Sequence, residues 1–381
     1  MYRILVGIRR RRRGQAAVGG GKGFRSEAAL DAIRCFVEKG REQGDQLHVA
    51  LYNYPSISGA YAALFASLFH SKLRLPFLPL PFSSFHPFKG EDFKLADVKT
   101  CYLLDFIGPK DFSLELSKFI PRVIAFDHHQ RTAIRISKMK EKLPSNLDLQ
   151  VDSTRCSARA AFDYFSAELI GNGDSQGLLN LGELERVKYF LRYIEDSDLC
   201  HRKLHDIKYF NAGIKDLHAK LNCIVNPHLF YQLLEIDASS LIAKGRSVLV
   251  SRENAANTFI KNPFKIHLGR GLYGECLAVR SDGNSNLSHE ISLELSRRSS
   301  ASGLRPIGAA VFMQRGNVKV CLRSFDNMTD TSEIARVYGG GGKPSSSSFT
   351  LRMDEYNLWT SKRILDQKGA DCKLLGLKFL G

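Results

Sequence analysis

The stretch RVIAFDHH, residues 122–129, decides the fold. Residues 123–126 are a short apolar run of β-branched and aromatic type, which suits a strand covered on both faces, as the strands of parallel sheets are. In open sheets of that kind ligands bind beyond the carboxyl ends of the strands. Asp127, His128 and His129 stand at that end. A carboxylate with two imidazoles on one strand-to-loop turn can hold a hard-to-borderline divalent cation. Alone, the tripeptide is equally readable as a surface turn; its surroundings along the chain give it weight.

Upstream, LHVALYNY (47–54) is another apolar run, followed by a turn and the alanine-rich stretch 60–70. That pattern predicts strand, loop and helix. Residues 73–80 and TCYLLDFI (100–107) predict two more strands, and residues 111–119 a helix. Strands alternating with helices predict mainly parallel pairing. Asp105 lies toward the carboxyl end of its strand, as Asp127 does. Downstream, residues 157–196 turn helical on both sides of a polar loop at 171–177, which predicts a helical cover on the sheet.

Residues 227–260 are long and periodic enough for a connecting helix. A second set of elements follows, with strands at 264–268, 275–280, 308–315 and 317–323 and helices at 287–297 and 331–338; Arg315-Gly316-Asn317 is a hairpin turn. The fold class expected is α/β: a mainly parallel sheet with helical cover, linked by a long helix to a smaller α+β C-terminal domain. Expected boundaries are a basic leader at 1–26, a first domain at 27–235, the connecting helix at 236–262, a second domain at 263–360 and a basic tail at 361–381.

A chain of 381 residues, 44% hydrophobic and 25% charged, is long enough for two cores. Its most apolar stretches fall short of the roughly 20 residues that cross a bilayer, and proline interrupts them, so no membrane span is expected. The eight cysteines stand singly, without zinc-site spacing, which reads as reduced thiols in an intracellular compartment. The net charge of +16 is uneven, because residues 1–25 hold eight basic residues and no acid. As an organelle transit peptide this leader would send the protein to a mitochondrion or plastid; as a disordered tail it would leave it cytoplasmic. The remaining basic excess favours an anionic partner, nucleic acid or a small phosphorylated substrate.

The order of these motifs resembles the DHH phosphoesterase superfamily, in which a DHH catalytic domain precedes a glycine-rich DHH-associated domain. The resemblance runs from YNYPSISGAYAALFASLF (52–69) through YLLDF (102–106), DHH (127–129) and YIEDSD (193–198) to GGGGKPSSSSF (339–349). It implies a dinuclear Mn²⁺ or Mg²⁺ site that binds phosphate oxygens and activates water. The activity implied is hydrolysis of phosphodiester or phosphoanhydride bonds in a nucleotide or short oligonucleotide. Position by position, the resemblance implies Asp105 as the carboxylate bridging two metals, and His128 and Asp196 as ligands, one to each. It puts His129 against the phosphate or leaving oxygen and has Asp127 orient His128 through a hydrogen bond. Gly339, Gly340, Gly341 and Gly342 with Lys343 would bind substrate phosphate through converging N–H groups and a point charge. The other reading of that segment is a flexible Gly/Ser linker. A cleft between the two domains is expected, with the glycine loop facing the Asp/His set.

One departure bears on activity. The first motif of the family supplies a histidine and at least one aspartate, where this chain has Asn53, Ser56, Ser58 and Gly59. Serine is a poor ligand for Mg²⁺ or Mn²⁺ and asparagine offers a neutral carbonyl, so the degenerate motif at Asn53 and Ser58 points to a weak or missing metal site. One ion, or none, then stands beside two. Beside the phosphoesterase stands a catalytically impaired relative, a pseudoenzyme that binds nucleotides or RNA. Lys343 replaces the histidine that commonly follows the glycines. GGGKG (19–23) lacks the spacing of a phosphate loop, and His201 and His205 read as surface histidines.

Overall fold

The computed structural model describes residues 25–94, 97–138, 143–173, 177–326 and 328–360. Nearly all of the expected leader and the whole of the tail lie outside the described residues. The chain divides into two compact units, Met1–Arg246 and Ser247–Gly381.

The first unit opens with helix α1 (Glu27–Gln43), which the sequence reading did not foresee. Ser26 caps it by accepting the Ala29 N–H, Gly44 closes it in the left-handed conformation, and Ile33, Phe36 and Val37 face inward. There follow β1 (Leu47–Asn53), α2 (Ile57–Lys72), β2 (Phe77–Phe82), β3 (Val98–Leu104), α3 (Phe112–Ser117), β4 (Arg122–Asp127), α4 (Gln130–Ser137) and β5 (Leu147–Val151). The five strands form one sheet in the order β2-β1-β3-β4-β5, every pair parallel. Strand β2 lies later than expected, and its prolines Pro79 and Pro81 are tolerated because it is an edge strand. β5, the opposite edge, has a single fully buried residue, Leu147, so its sequence carries little strand signal.

Both faces of the sheet are covered. Ala50, Tyr52, Leu104 and Phe126 pack against α2 and against α5 (Ser157–Gly171) and α6 (Leu181–Asp198). Val49, Leu51, Leu103, Val123 and Ala125 pack on the other face with α1 and α3. Helix α2 is apolar nearly all round because it is buried nearly all round, with Ala60, Tyr61, Ala62, Ala63, Leu64 and Phe65 fully enclosed. Helices α7 (Ile207–Gly213) and α8 (Leu229–Glu235) complete this layer. The buried Tyr61 hydroxyl donates to Leu233 O of α8 at 2.8 Å.

The single helix expected over 227–260 is two. α8 ends before Ile236, and α9 (Ala238–Phe259) follows Asp237, whose carboxylate accepts the Ser240 N–H at 2.7 Å in the manner of a helix cap. α9 spans the division between the units.

The second unit contains β6 (Phe264–His267), β7 (Glu275–Arg280), α10 (Ser288–Ala301), β8 (Ile307–Gln314), β9 (Asn317–Ser324), α11 (Ser332–Val337), β10 (Gly341–Lys343), β11 (Ser346–Leu351) and α12 (Met353–Thr360). Its sheet has the order β10-β11-β9-β8-β7-β6, with β7 and β8 parallel and the other pairs antiparallel. α10 lies directly on Gly308, where a Cβ would stand 2.0 Å from Ser292 O. Phe349, Tyr356 and Trp359 fill the opposite face with Ile334 and Ala335 of α11. The α/β class read from the sequence is the one observed. Among the described residues, no helix is long and apolar enough to cross a membrane.

Candidate metal centre

Three strand ends build the site within the first unit. β1 ends at Asn53, β3 ends one residue before Asp105, and β4 ends at Asp127 before His128 and His129. β2 lies on one side of β1 and β3 on the other, so the ends of β1 and β3 flank a topological switch point, where open sheets form their ligand crevice.

Asp105 is 1% exposed and has a φ of 73°, a left-handed backbone that costs a non-glycine residue on the order of 1 to 3 kcal/mol. Its two oxygens have different surroundings. Oδ2 accepts the Ser56 hydroxyl at 2.5 Å and the Asn53 amide at 3.1 Å. Oδ1 is buried without a hydrogen-bond partner and faces His128 Nδ1 at 3.1 Å. His128 Nδ1 also lies 3.0 Å from the hydroxyl of Ser157, the first residue of α5. With its Nδ1 hydrogen held there, the ring keeps the Nε2 lone pair for a ligand.

Asp127 orients His129 rather than His128. Its Oδ1 accepts the His129 ring Nδ1–H at 2.6 Å and the His129 backbone N–H at 3.1 Å, while Oδ2 accepts the Thr132 hydroxyl at 2.7 Å. The reason is local, since His129 is the N-cap of α4 and an aspartate two residues earlier folds back on the first helical turn. The part expected of Asp127 at His128 falls to Ser157 and Asp105. The two imidazoles stack with centroids 4.3 Å apart.

Helix α6 carries two acids, Asp196 and Asp198, in different surroundings. Asp196 is buried, but its carboxylate accepts the backbone N–H groups of Lys203 and Leu204 at 2.9 and 3.2 Å, closing the turn after the helix. Asp198 is the acid that senses the cluster. Burial and the Asp105 carboxylate push its pKa up to about 7, against the pull of His128 and of hydrogen bonding from Ser58. Its Oδ2 is buried with no partner. Val187, Leu191, Ile194 and Asp198 form one helical stripe whose first three members are fully buried, and Asp198 is its polar end.

Charge within the cluster follows this geometry. Burial lowers the His128 pKa, but the Asp105 carboxylate outweighs it and leaves the ring above the ordinary imidazole value. His129 is raised as well, chiefly by its hydrogen bond to Asp127. Asp127 is destabilised by burial yet ends below the usual carboxylate range because His129 and Thr132 donate to it.

Asp105, His128 and His129 each offer a ligand atom, and these atoms lie within 4.8 Å of one another. Two imidazoles and a buried carboxylate oxygen suit one divalent cation of borderline hardness, and Asp198, with a buried oxygen that has no partner, lies near enough to feel their charge. Asn53 and Ser58 stand where a first-motif ligand set would be, but their polar atoms are engaged, Asn53 with Asp105 and Ser58 Oγ with the Ala158 N–H at 3.0 Å. Ser56, Ser157 and Asp198 escaped the sequence reading as site residues.

In the second unit, Gly339, Gly340, Gly341, Gly342 and Lys343 lead from α11 into the β10–β11 hairpin, so the segment is no linker. Gly339 has a φ of 70° just past the helix, as a helix-closing residue does. A Cβ on Gly340 would meet Ser348 O at 2.3 Å, and one on Gly342 would meet Ser346 O at 2.3 Å. Gly341 alone of these faces open space while having an ordinary backbone. His201 and His205 are exposed, as read.

No protein-family model and no curated protein sequence matches the chain. Solved structures do. An exopolyphosphatase-related protein from Bacteroides fragilis is 10% identical over 87% of this chain and 94% of its own, with a TM-score of 0.36. PggH, a pGpG-specific phosphodiesterase from Vibrio cholerae, is 10% identical over 82% of this chain and 94% of its own, with a TM-score of 0.37. RecJ from Thermus thermophilus in complex with Mn²⁺ is 13% identical over 87% of this chain and 53% of its own, with a TM-score of 0.35. These are likenesses of fold at low identity.

Proposed function

We propose that this chain, whose fold is that of the DHH superfamily, is a metal-dependent phosphoesterase acting on a phosphodiester or phosphoanhydride bond of a nucleotide or short oligonucleotide. The observation that carries the reading is the convergence of Asp105, His128 and His129, whose ligand atoms lie within 4.8 Å of one another, with a buried unpartnered carboxylate oxygen of Asp198 near them. Oxygens left bare in a desolvated site are costly unless a cation takes them. Asp105, His128, His129 and Asp198 would hold Mn²⁺ or Mg²⁺. When bound, such an ion supplies the positive charge that polarises a phosphoryl group and favours deprotonation of water.

The protein's own groups divide the remaining work. Asp105 and Ser157 fix the His128 ring, and Asp127 fixes the His129 ring while raising its basicity. His129 is about half exposed, with its side chain at 52%, so it stands on the open side of the centre, where a substrate phosphate would approach, and its Nδ1–H bond to Asp127 turns Nε2 toward the ion. Asp127, buried and hydrogen-bonded on both oxygens, holds that orientation. Gly341 and Lys343 are candidates for phosphate contact, whereas Gly339, Gly340 and Gly342 have structural reasons of their own.

Hydrolysis assays with Mn²⁺ on pyrophosphate, a cyclic dinucleotide and short RNA test the proposal. Product release is expected, and Asp105→Ala and His128→Ala abolish it; full activity in both variants rules the reading out. A second reading, a nucleotide- or RNA-binding relative without turnover, is favoured by the donors that Asn53 and Ser56 place on Asp105 Oδ2. Binding of the same ligands with no hydrolysis above background would select it.

A further inference from the structure

We infer that the place of a second cation beside Asp105 has been taken by fixed protein donors, Ser56 and Asn53 with the N-terminal end of α2, so that the centre holds one divalent ion. The inference rests on the metal-centre reading and deepens it.

A carboxylate bridges two ions by giving one oxygen to each. Asp105 has a single oxygen to give. Oδ1 faces the His128 ring at 3.1 Å on the side of the imidazoles, while Oδ2 accepts from both Ser56 and Asn53, at 2.5 and 3.1 Å. Ser56 is also the N-cap of the 16-residue helix α2, and its hydroxyl oxygen accepts the Gly59 N–H at 3.2 Å while its hydrogen goes to Asp105. One hydroxyl thereby ties the carboxylate to a helix end, where the aligned peptide dipoles place roughly half a positive charge. The approach is tight, because a Cβ on Gly59 would stand 2.6 Å from Asn53 O, so α2 can begin this close to β1 only with glycine there.

The chemistry of the donors excludes an ion on that side. Asn53 turns its amide nitrogen to the carboxylate, Ser56 gives its hydroxyl hydrogen, and Ser58 Oγ is engaged by the Ala158 N–H. None of them brings the negative charge that a second hard dication needs. A helix end and two neutral donors balance one carboxylate oxygen; they cannot balance an added charge of two. On the other side, Asp105 Oδ1 and the two imidazoles, whose ligand atoms lie within 4.8 Å of one another, make a donor set for one ion.

The test counts ions. Mn²⁺ is added to the metal-stripped full chain, bound metal is measured after dialysis by elemental analysis, and the electron paramagnetic resonance spectrum is recorded. One ion per chain with the resolved spectrum of an isolated ion is expected. In the Asn53→Asp/Ser56→Asp double variant, where aspartate keeps the helix cap and both neutral donors become carboxylates, the count rises to two and the spectrum broadens by coupling. Circular dichroism establishes that the variant is folded. Two ions in the unaltered chain overturn the inference and leave the metal-centre reading standing. A folded double variant that still takes one ion overturns the role given to Ser56 and Asn53. No ion in either chain overturns the metal-centre reading, and the inference with it.

Discussion

Asp127 Oδ1 accepts two hydrogen bonds from His129, one from the ring Nδ1–H at 2.6 Å and one from the backbone N–H at 3.1 Å. A carboxylate can only accept, so the contact fixes which ring nitrogen bears hydrogen and leaves Nε2 as the ligand atom. Asp127→Asn keeps the shape and removes the charge. The expected outcome is a Mn²⁺ affinity about 10- to 100-fold lower with an unchanged circular dichroism spectrum. Titration of the metal into variant and parent measures it; equal affinities would mean that His129 does not depend on Asp127.

Asp196 and Asp198, two residues apart, should fail in different ways. Asp198→Ala removes a bare carboxylate oxygen from the cluster and is expected to weaken Mn²⁺ binding at least about tenfold. Asp196→Ala leaves the Lys203 and Leu204 amides without their acceptor, which is expected to cost about 1 to 3 kcal/mol of stability while the ion still binds. Metal titration and urea unfolding, run on both variants, separate the two effects, and a reversed pattern would restore Asp196 to the centre.

That exchange marks how far the chain could be read. The strand 122–127 was legible to the residue because it is apolar on both faces and ends in charge. Asp105 was legible because a lone acid closes another such run. Asp198 was less so: two acids at one helix end look alike in sequence, and only the stripe Val187, Leu191, Ile194 separates them. Ser56 and Ser157 carry no signal of their own, since serine before a helix reads as an ordinary cap and its second hydrogen bond depends on which strand end packs beside it. The β10–β11 hairpin was hidden for the opposite reason. Glycines and serines suggest a linker, yet Gly340 and Gly342 are there because β11 passes too close for a Cβ.

The glycine segment gives a prediction in which structure and ligand binding part. Gly340→Ala and Gly342→Ala place a methyl group about 2.3 Å from the carbonyls of Ser348 and Ser346 and are expected to cost roughly 1 to 3 kcal/mol each. Gly341→Ala meets nothing within 4 Å and should leave stability unchanged. Thermal unfolding of the three variants checks this. Lower affinity for inorganic phosphate in Gly341→Ala at unchanged stability would support a binding role for that backbone; equal losses of stability in all three would contradict the packing account.

The last prediction concerns acid stability and lies away from the metal centre, at the start of β1 and the end of α2. His48 and His70 are buried with ring centroids 4.8 Å apart. His70 Nδ1 donates to Ala66 O at 2.8 Å, but His70 Nε2 and both nitrogens of His48 have no partner. Around His70 stand Phe69, Phe77, Tyr102 and Phe165, and the charge of Lys99 acts on His48, where it opposes another cation. Burial therefore pushes His70 down to about 3 and His48 to about 4, both below the unfolded value of 6.5. A group whose folded pKa is depressed takes up protons more readily when unfolded. Stability from the neutral rings is then fully present above about pH 6.5 and is lost as pH falls from there toward 4. For His70 the loss at pH 5 is roughly 2 kcal/mol. Urea midpoints measured from pH 7 to pH 4.5 should fall steeply. His70→Phe, which keeps the ring packing and removes the titration, should flatten that slope even though it forfeits the bond to Ala66 O. A parent midpoint independent of pH, or a His70→Phe slope equal to the parent's, would show that these rings do not set the acid limit of the fold.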